Sequence, residues 1–331
     1  MTEPTSDLVE FAARLQGEIL ILGGSGKMGP ELIEMLARAD QQAGVAPRLL
    51  VGSRFSGESG SATRASLESL GVRVLQGDLT DPAFQQSLPR VENLIFMVGF
   101  KFGSADDPGR AIQMNCVLPA EIAMSFPEAR IVVFSSTNPY PLTEAATGGS
   151  RESDELRPEG LYGWSVVGRE TAFRAVASGH THLHLCFFRL AYAQHLAYGV
   201  LVDLARMIAA GEPVSLAMPY VNLVSQRDAN ERALRCLELC ARPPAILNVC
   251  GPVQPVRSLA ERLGELLGCD PVFADAEGRL ARVSNDERCR ELFGPYQDGV
   301  DEMLEAAAGW VADGGESWDK PTKFGVANGK Y

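Results

Sequence analysis

Gly23, Gly26 and Gly29 form a G-x-x-G-x-x-G series within Leu22-Gly23-Gly24-Ser25-Gly26-Lys27-Met28-Gly29. The apolar run Ile19-Leu20-Ile21-Leu22 precedes it, and the helix-patterned segment Glu31–Leu36 follows. A strand, a glycine turn and a helix in that order aim backbone N–H groups and a helix N-terminus at one point, which suits a pyrophosphate. Gly23 serves the tight turn, Gly26 the close approach of backbone to phosphate, and Gly29 the packing of helix on strand. Ser25, Lys27 and Met28 complete the expected cofactor-binding turn. A plain glycine-rich turn is the alternative, and the flanking strand and helix weigh against it.

The second candidate strand ends Leu50-Val51-Gly52-Ser53-Arg54. A carboxylate at this point would accept the ribose hydroxyls of NAD. Arg54 instead offers a planar cation suited to a phosphate, with the Ser53 hydroxyl beside it. The pattern favours NADP, with NAD as the alternative. Asp78 and Leu79 fall where an adenine-edge contact is expected, although Asp78 is equally a candidate helix N-cap.

The 331 residues carry a net charge of −12, which argues against nucleic acid or an anionic membrane as partner. No apolar run approaches a membrane span, and Met1–Asp7 lacks the basic and apolar regions of a secretory signal. The 7 cysteines are scattered. Cys236 and Cys240 sit four apart on a candidate helix without a partner pair, so they read as apolar fillers in a reducing, cytoplasmic setting. His180, His182 and His184 alternate before a strand with no carboxylate nearby, and no metal site is expected.

The elements that must position these groups alternate. Apolar runs at 18–23, 48–53, 72–76, 93–98, 130–135, 183–190 and 246–250 read as strands. Segments 28–43, 62–70, 108–126 and 163–178 read as helices. The expected fold class is α/β, a Rossmann-type doubly wound parallel sheet with a smaller C-terminal substrate-binding domain. Residues 1–190 form the dinucleotide-binding domain, with strand 246–250 returning to its sheet. Residues 191–331 form a mainly substrate-binding, discontinuous domain with helices near 199–211, 228–241, 256–268 and 299–313. Thr143–Pro158 reads as a long polar loop, either a lid or a surface excursion. A Pro/Gly-rich tail closes the chain at Lys320-Pro321-Thr322.

In this order the segments resemble the extended short-chain dehydrogenase/reductase family, the group of nucleotide-sugar epimerases and dehydratases. The resemblance rests on Gly23–Gly29, Gly77-Asp78-Leu79, Phe96–Lys101, Asn115, Phe134–Tyr140, Tyr162-Gly163-Trp164-Ser165 and Arg189. It continues through Asp228 and the stretches Leu292-Phe293-Gly294 and Gly309-Trp310-Val311. It implies an NAD(P)-dependent enzyme acting on a sugar-derived or polyhydroxylated carbonyl compound. The catalytic set would comprise Ser136, polarising the substrate oxygen, and Tyr162, transferring the proton. Val98, Gly99 and Asn115 join the cofactor set, Asn115 as the residue that orders an active-site water. Relatives commonly dimerise through two helices, which places a homodimer interface on 108–126 and 163–178.

One departure matters. The family carries a lysine four residues after the tyrosine, and this chain carries Val166. Residues i and i+4 share a helix face, and a unit charge about 4 Å away is worth roughly 4 kcal/mol at an effective dielectric of about 20. Losing it forfeits up to about three pKa units, so Tyr162 reads as a neutral proton donor at pH 7. Lys101 is the expected substitute cation, near both cofactor and phenol, whereas Arg169 is expected at the surface or facing phosphate. Three readings stay open: a substitute cation, a reductase using neutral Tyr162 and Ser136, or a non-redox regulator or lyase that binds dinucleotide. Candidate substrate contacts are Thr137, Asn138, His195, Tyr198, Asn222, Gln226 and Arg227, polar groups suited to hydroxyls or carboxylates.

Overall fold

The computed structural model describes residues 2–318 and 322–325; Lys320 and Pro321 of the tail lie outside the described residues. Strand and helix alternate through α1 (Ser6–Arg14), β1 (Ile19–Leu22), α2 (Gly29–Gln42), β2 (Leu49–Ser53), α3 (Gly57–Ser69), β3 (Arg73–Gln76) and α4 (Pro82–Ser87). They continue through β4 (Asn93–Phe96), α5 (Pro108–Ile112), α6 (Leu118–Ser125), β5 (Arg130–Ser136), α7 (Gly160–Gly179) and β6 (His184–Leu190). Then come short strands β7 (Ala193–Gln194), β8 (Val214–Ser215), β9 (Tyr220–Asn222) and β10 (Val224–Ser225), with helices α8 (Val200–Ala209) and α9 (Gln226–Arg235). β11 (Ala245–Val249), β12 (Val253–Pro255), α10 (Val256–Leu267), β13 (Phe273–Ala274), α11 (Glu287–Phe293) and α12 (Val300–Ala312) complete the chain.

The central sheet has seven strands in the order β11-β6-β5-β4-β1-β2-β3. The pairs β1–β2, β1–β4, β2–β3 and β4–β5 are parallel, with Leu22 opposite Gly52 on one side and Phe96 on the other. From β1 the chain runs outward to β2 and β3, then crosses back to β4. The strand order therefore reverses beside β1, where open α/β sheets bind ligands at the strands' carboxyl ends. β1 and β4 are buried along their whole length, as continuous apolar runs require, while edge strand β3 leaves Arg73 and Gln76 exposed.

Two compact units share the chain. The first comprises Met1–Ser135, Trp164–Phe188 and Asn230–Ile246. Its core sets Leu22, Phe96, Ile131 and Phe187 of the sheet against Leu118 and Ile122 of α6 and Phe173 of α7, with Phe96 and Phe173 edge to face at 5.4 Å. Each such buried side chain contributes about 1.5–3 kcal/mol. The expected single helix over 108–126 is broken by a π-helical turn at Gln113–Val117. Pro119 is the physical reason, since it has no N–H for the Asn115 carbonyl four residues back. The amphipathic α1, capped by Thr5 and burying Leu8, Phe11 and Ala12, was not foreseen from the sequence.

The second unit comprises Ser136–Gly163, Arg189–Ala229 and Leu247–Tyr331. Its core packs Leu204 and Ile208 of α8 against Leu259 and Leu263 of α10 and Leu304 of α12. These bounds differ from a division at residue 190, because Ser136–Gly163 joins the second unit. Backbone pairing explains it. Thr143 exchanges two hydrogen bonds of 2.9 Å with Ala281, Ser150 N–H donates to Val283 at 3.0 Å, and Asn285 N–H donates to Ser150 at 2.8 Å. The Thr143–Pro158 stretch is thus fastened along its first half.

Candidate active site

The glycine turn is built as its spacing requires. Gly23 sits at φ +86°, a left-handed conformation that side chains resist. Gly26 N–H donates to Gly23 O at 3.0 Å and Gly29 N–H to Gly26 O at 3.2 Å, closing the turn onto α2. A Cβ on Gly29 would lie 2.2 Å from Gly24 O, so only glycine lets the helix dock there. A Cβ on Gly26 would meet only Gly23 O, at 3.3 Å. The space at Gly26 is thus open apart from that one contact, whereas the docking of α2 requires glycine at position 29.

Beside the turn, within the first unit, lies a cavity of about 790 Å³. Of the expected cofactor residues it gathers Gly23, Ser25 and Gly26 from the turn, and Ser53 and Arg54 from the end of β2. Asp78, Leu79, Val98 and Gly99 line it from beyond β3 and β4. The Ser25 and Ser53 hydroxyls share a hydrogen bond of 2.5 Å, which ties the turn to β2. Asp78 accepts from Thr80 N–H and Thr80 Oγ1, at 2.9 and 2.8 Å, and these bonds hold its carboxyl below the usual carboxylate range. The helix cap belongs to Asp81, whose side chain accepts from Ala83 N–H at the start of α4. Arg54 and Arg110 both act electrostatically on Asp78, and Arg110 lines the cavity as well. Sequence reasoning missed Arg110; the signal available was the Asp107-Pro108 helix start that places it one turn into α5.

Lys27, Met28, Gly29, Lys101 and Asn115 are not among the lining residues. The Lys27 and Lys101 ammonium groups lie 5.0 and 5.5 Å from the centre of the Phe102 ring, a shared cation–π contact. Met28 is the residue before α2 and accepts through its carbonyl from Leu32 N–H.

Asn115 and Arg169 are both placed differently from expectation. Asn115 is 0 % exposed. Its amide donates to Phe100 O and Ser165 Oγ, and its oxygen accepts from Phe100 N–H and Arg169 Nη2. It is an internal knot rather than a residue facing water. Arg169 is not at the surface but 5 % exposed, and it also donates to Phe134 O at 2.7 Å. Gly99 makes room for it: a Cβ there would lie 2.5 Å from Arg169 Nη2. A buried guanidinium thus presses on the backbone of a cavity-lining residue, held by carbonyl and amide oxygens.

In the second unit Ser136 ends β5 and opens a tight turn. Its hydroxyl accepts from Asn138 N–H at 3.1 Å, and Tyr140 N–H donates to Thr137 O at 3.1 Å. Thr137 and Asn138 are each 6 % exposed. Tyr162 stands in the first turn of α7, and Val166 is fully buried. The Tyr140 hydroxyl donates to Asn248 Oδ1 at 2.9 Å and accepts from Arg189 Nη1 at 2.6 Å. Burial pushes this phenol up to about 12, against the opposing pull of Arg189.

His195 and Tyr198 pair through their backbones, and the Trp318 ring stacks on His195 at 4.6 Å and on Tyr198 at 6.1 Å. Burial, with the nearby Asp203 carboxylate and Tyr162 phenol adding to it, pushes the Tyr198 phenol up to about 12. Asn222 is 1 % exposed; its amide donates to Gly251 O and Ser284 O and accepts from Ser284 N–H. It clamps two backbone segments together rather than facing a ligand. Arg227 reaches Asp298 at 3.5 Å, and Gln226 is 2 % exposed.

Among the described residues no helix is long and apolar enough to cross a membrane, and no group of three metal-ligating side chains is gathered. In fold the chain is similar to MoeE5 in complex with UDP-glucose and NAD, at TM-score 0.69 and 20% identity over 90% of this chain and 99% of that one. It is similar to the UDP-glucuronic acid 4-epimerase from Bacillus cereus in complex with UDP-glucuronic acid and NAD, at TM-score 0.71 and 12% identity over 89% and 99%. A short-chain dehydrogenase/reductase superfamily protein from Agrobacterium tumefaciens with bound NAD matches at TM-score 0.72 and 18% identity over 89% and 97%. At these identities the likeness is one of fold. A comparison with curated proteins found no match. The sequence model of the NAD dependent epimerase/dehydratase family matches residues 19–228, more than half of the sequence, and the chain belongs to that family.

Proposed function

We propose that the chain is an NAD(P)-dependent oxidoreductase, epimerase or dehydratase whose substrate is a sugar-derived, polyhydroxylated carbonyl compound or the alcohol it comes from. The observation that supports the reading is the cavity of about 790 Å³ at the Gly26 backbone, beside the start of α2, a setting that suits a pyrophosphate. Nucleotide-linked sugars are the substrate class to test first, since MoeE5 and the Bacillus cereus epimerase were solved with UDP-glucose and UDP-glucuronic acid. When bound, the dinucleotide supplies or accepts hydride. Ser136 Oγ then hydrogen-bonds the substrate oxygen, and in the reductive direction Tyr162 passes its phenolic proton to that oxygen as hydride arrives. Lys101 remains the proposed source of the positive charge that Val166 does not provide.

Cofactor preference follows from charge. Arg54 and Arg110 line the cavity and β2 ends in Ser53 without a carboxylate, which supports NADP, with NAD as the alternative. The proposed assembly is a homodimer, supported by exposed Ile112, Val117, Met124 and Trp164 along α5, α6, the π turn between them and α7. The proposed setting is the cytoplasm, in keeping with Cys116, Cys186, Cys240, Cys250 and Cys269 as thiols. Fully buried Val166 favours a second reading, a regulator or non-redox lyase that binds dinucleotide without hydride transfer.

Fluorescence titration with NADPH and NADH, together with turnover of UDP-glucose and UDP-glucuronic acid by wild type and Tyr162→Phe, tests the proposal. Cofactor binding within twofold of wild type and loss of turnover are expected of the variant. Turnover surviving in Tyr162→Phe would remove Tyr162 from the chemistry. Binding without any turnover in wild type would select the second reading, and failure to bind either cofactor would overturn both.

A further inference from the structure

The second unit holds one side chain that fastens both segments leading to the proposed proton-handling pair. Arg282 lies in Ala281-Arg282-Val283-Ser284, a strip fixed by its backbone bonds to Thr143 and Ser150. Asn222 holds the end of the same strip through both polar groups of the Ser284 backbone. Ala281 and Val283 are buried with Met218 in a small apolar cluster, so the alternation of an extended strip turns Arg282 away from it. Its guanidinium is almost enclosed, the side chain being 7% exposed.

Arg282 Nη1 donates to Asn138 O at 2.7 Å and to Tyr140 O at 2.6 Å. Both carbonyls belong to the tight turn opened by Ser136. Arg282 Nη2 donates to Glu159 Oε2 at 3.3 Å, three residues before Tyr162. Arg157 N–H, in the same approach to α7, donates to Pro139 O at 2.8 Å, inside the same turn. At the near end of α7, a Cβ on Gly163 would meet Asn138 Oδ1 at 3.3 Å and Pro158 Cβ at 3.0 Å, so the turn and the helix start are in close contact. Only a planar fork with separate nitrogens can hold two converging carbonyls on one side and a carboxylate on the other; an ammonium on a flexible stem cannot span both.

We infer that Arg282 is a positioning residue: it sets the Ser136 hydroxyl and the start of the Tyr162 helix in one fixed relation. This rests on the proposed roles of Ser136 and Tyr162. The carbonyl bonds carry the effect, because they are enclosed, whereas Glu159 is 47% exposed and its pairing adds little. Misplacing a reacting group by about 1 Å costs about 10²-fold in rate.

The test compares wild type, Arg282→Lys and Arg282→Met in the full chain. Turnover of UDP-glucose and UDP-glucuronic acid is read alongside NADH binding and hydrogen exchange of peptides covering 136–142 and 155–163. The expected result is a kcat about 10²-fold lower in Arg282→Met, with KM and NADH affinity within threefold and faster exchange confined to those peptides. Arg282→Lys should recover part of kcat, since an ammonium still reaches the two carbonyls. An unchanged kcat despite faster local exchange overturns the inference, as does a kcat loss that follows a general rise in exchange across the unit. If wild type turns over neither sugar, the proposed function has failed. The exchange data then decide the placement of Arg282 on their own, and unchanged protection of the two peptides overturns it.

Discussion

Substituting alanine at two glycines of one turn should separate cofactor binding from stability. At Gly29 the new methyl would sit 2.2 Å from Gly24 O and 2.6 Å from Gly24 C, both backbone atoms, so α2 must move outward by about 1 Å. Overpacking of this kind costs about 1–3 kcal/mol, and each kcal/mol lowers the melting temperature by about 2–4 °C at this size. Gly29→Ala should therefore melt about 2–12 °C below wild type. At Gly26 the methyl meets only Gly23 O, at 3.3 Å, and its φ is not positive, so a shift of a few tenths of an ångström accommodates it and the melting point should fall less than in Gly29→Ala. That methyl instead stands where a phosphate would approach the turn. Loss of one charge-assisted hydrogen bond costs about 1.5–3 kcal/mol, which is about 10–100-fold in affinity. Thermal unfolding and fluorescence titration with NADPH and NADH read both effects on the same samples. Gly26→Ala binding either cofactor within threefold of wild type would refute the placement of a pyrophosphate at this turn. An unshifted melting point in Gly29→Ala would refute the docking argument for α2.

Arg54→Ala should weaken NADPH about 10–100-fold, the worth of a charge-assisted phosphate contact, and NADH by less than threefold; equal losses for both would remove Arg54 as the phosphate reader. Tyr140 predicts an alkaline transition. Its phenol stands at about 12 in the folded unit against about 10 unfolded, so its contribution is complete below pH 10 and is lost as pH rises through 12. Two units correspond to about 2.7 kcal/mol. Urea midpoints of Tyr140→Phe should fall less steeply than wild type between pH 10 and 12, from a lower start because Arg189 loses a partner, and parallel curves would contradict the assignment. Trp164→Glu, at a position 62% exposed, should turn a dimer into a monomer in sedimentation; an unchanged mass would move the interface elsewhere.

What could be read from the sequence had local causes. β1 and β4 are announced by unbroken apolar runs, because a strand covered on both faces admits nothing else, and Gly26 and Gly29 of the turn meet only Gly23 and Gly24, within a few residues. The misplaced residues answer to partners far along the chain. Arg169 counts as one more polar residue of a helix until Asn115, 54 positions earlier, and the Phe134 carbonyl converge on it. Asn222 looks like a ligand contact until Ser284, 62 positions later, engages both ends of its amide. Thr143–Pro158 has a loop's composition, yet it is fastened by backbone groups, which composition does not encode. Arg282 lies 144 residues from the carbonyl it holds.

The same contrast bears on Val166. A lysine four residues after Tyr162 would deliver charge locally, along one helix face. This chain places a fully buried valine there and encloses a guanidinium three residues later, against Gly99 and Asn115. A guanidinium keeps its charge at any accessible pH and cannot give up a proton. Placed under a cavity-lining backbone, it supplies a steady field without the flexible contact of an ammonium. Lys101 and Arg169 therefore predict different pH behaviour for any turnover. Activity governed by Lys101 should move its alkaline limb to higher pH in Lys101→Met, because the cation that favours the ionised phenol is gone. Activity supported by Arg169 should leave the pH profile of Lys101→Met unchanged.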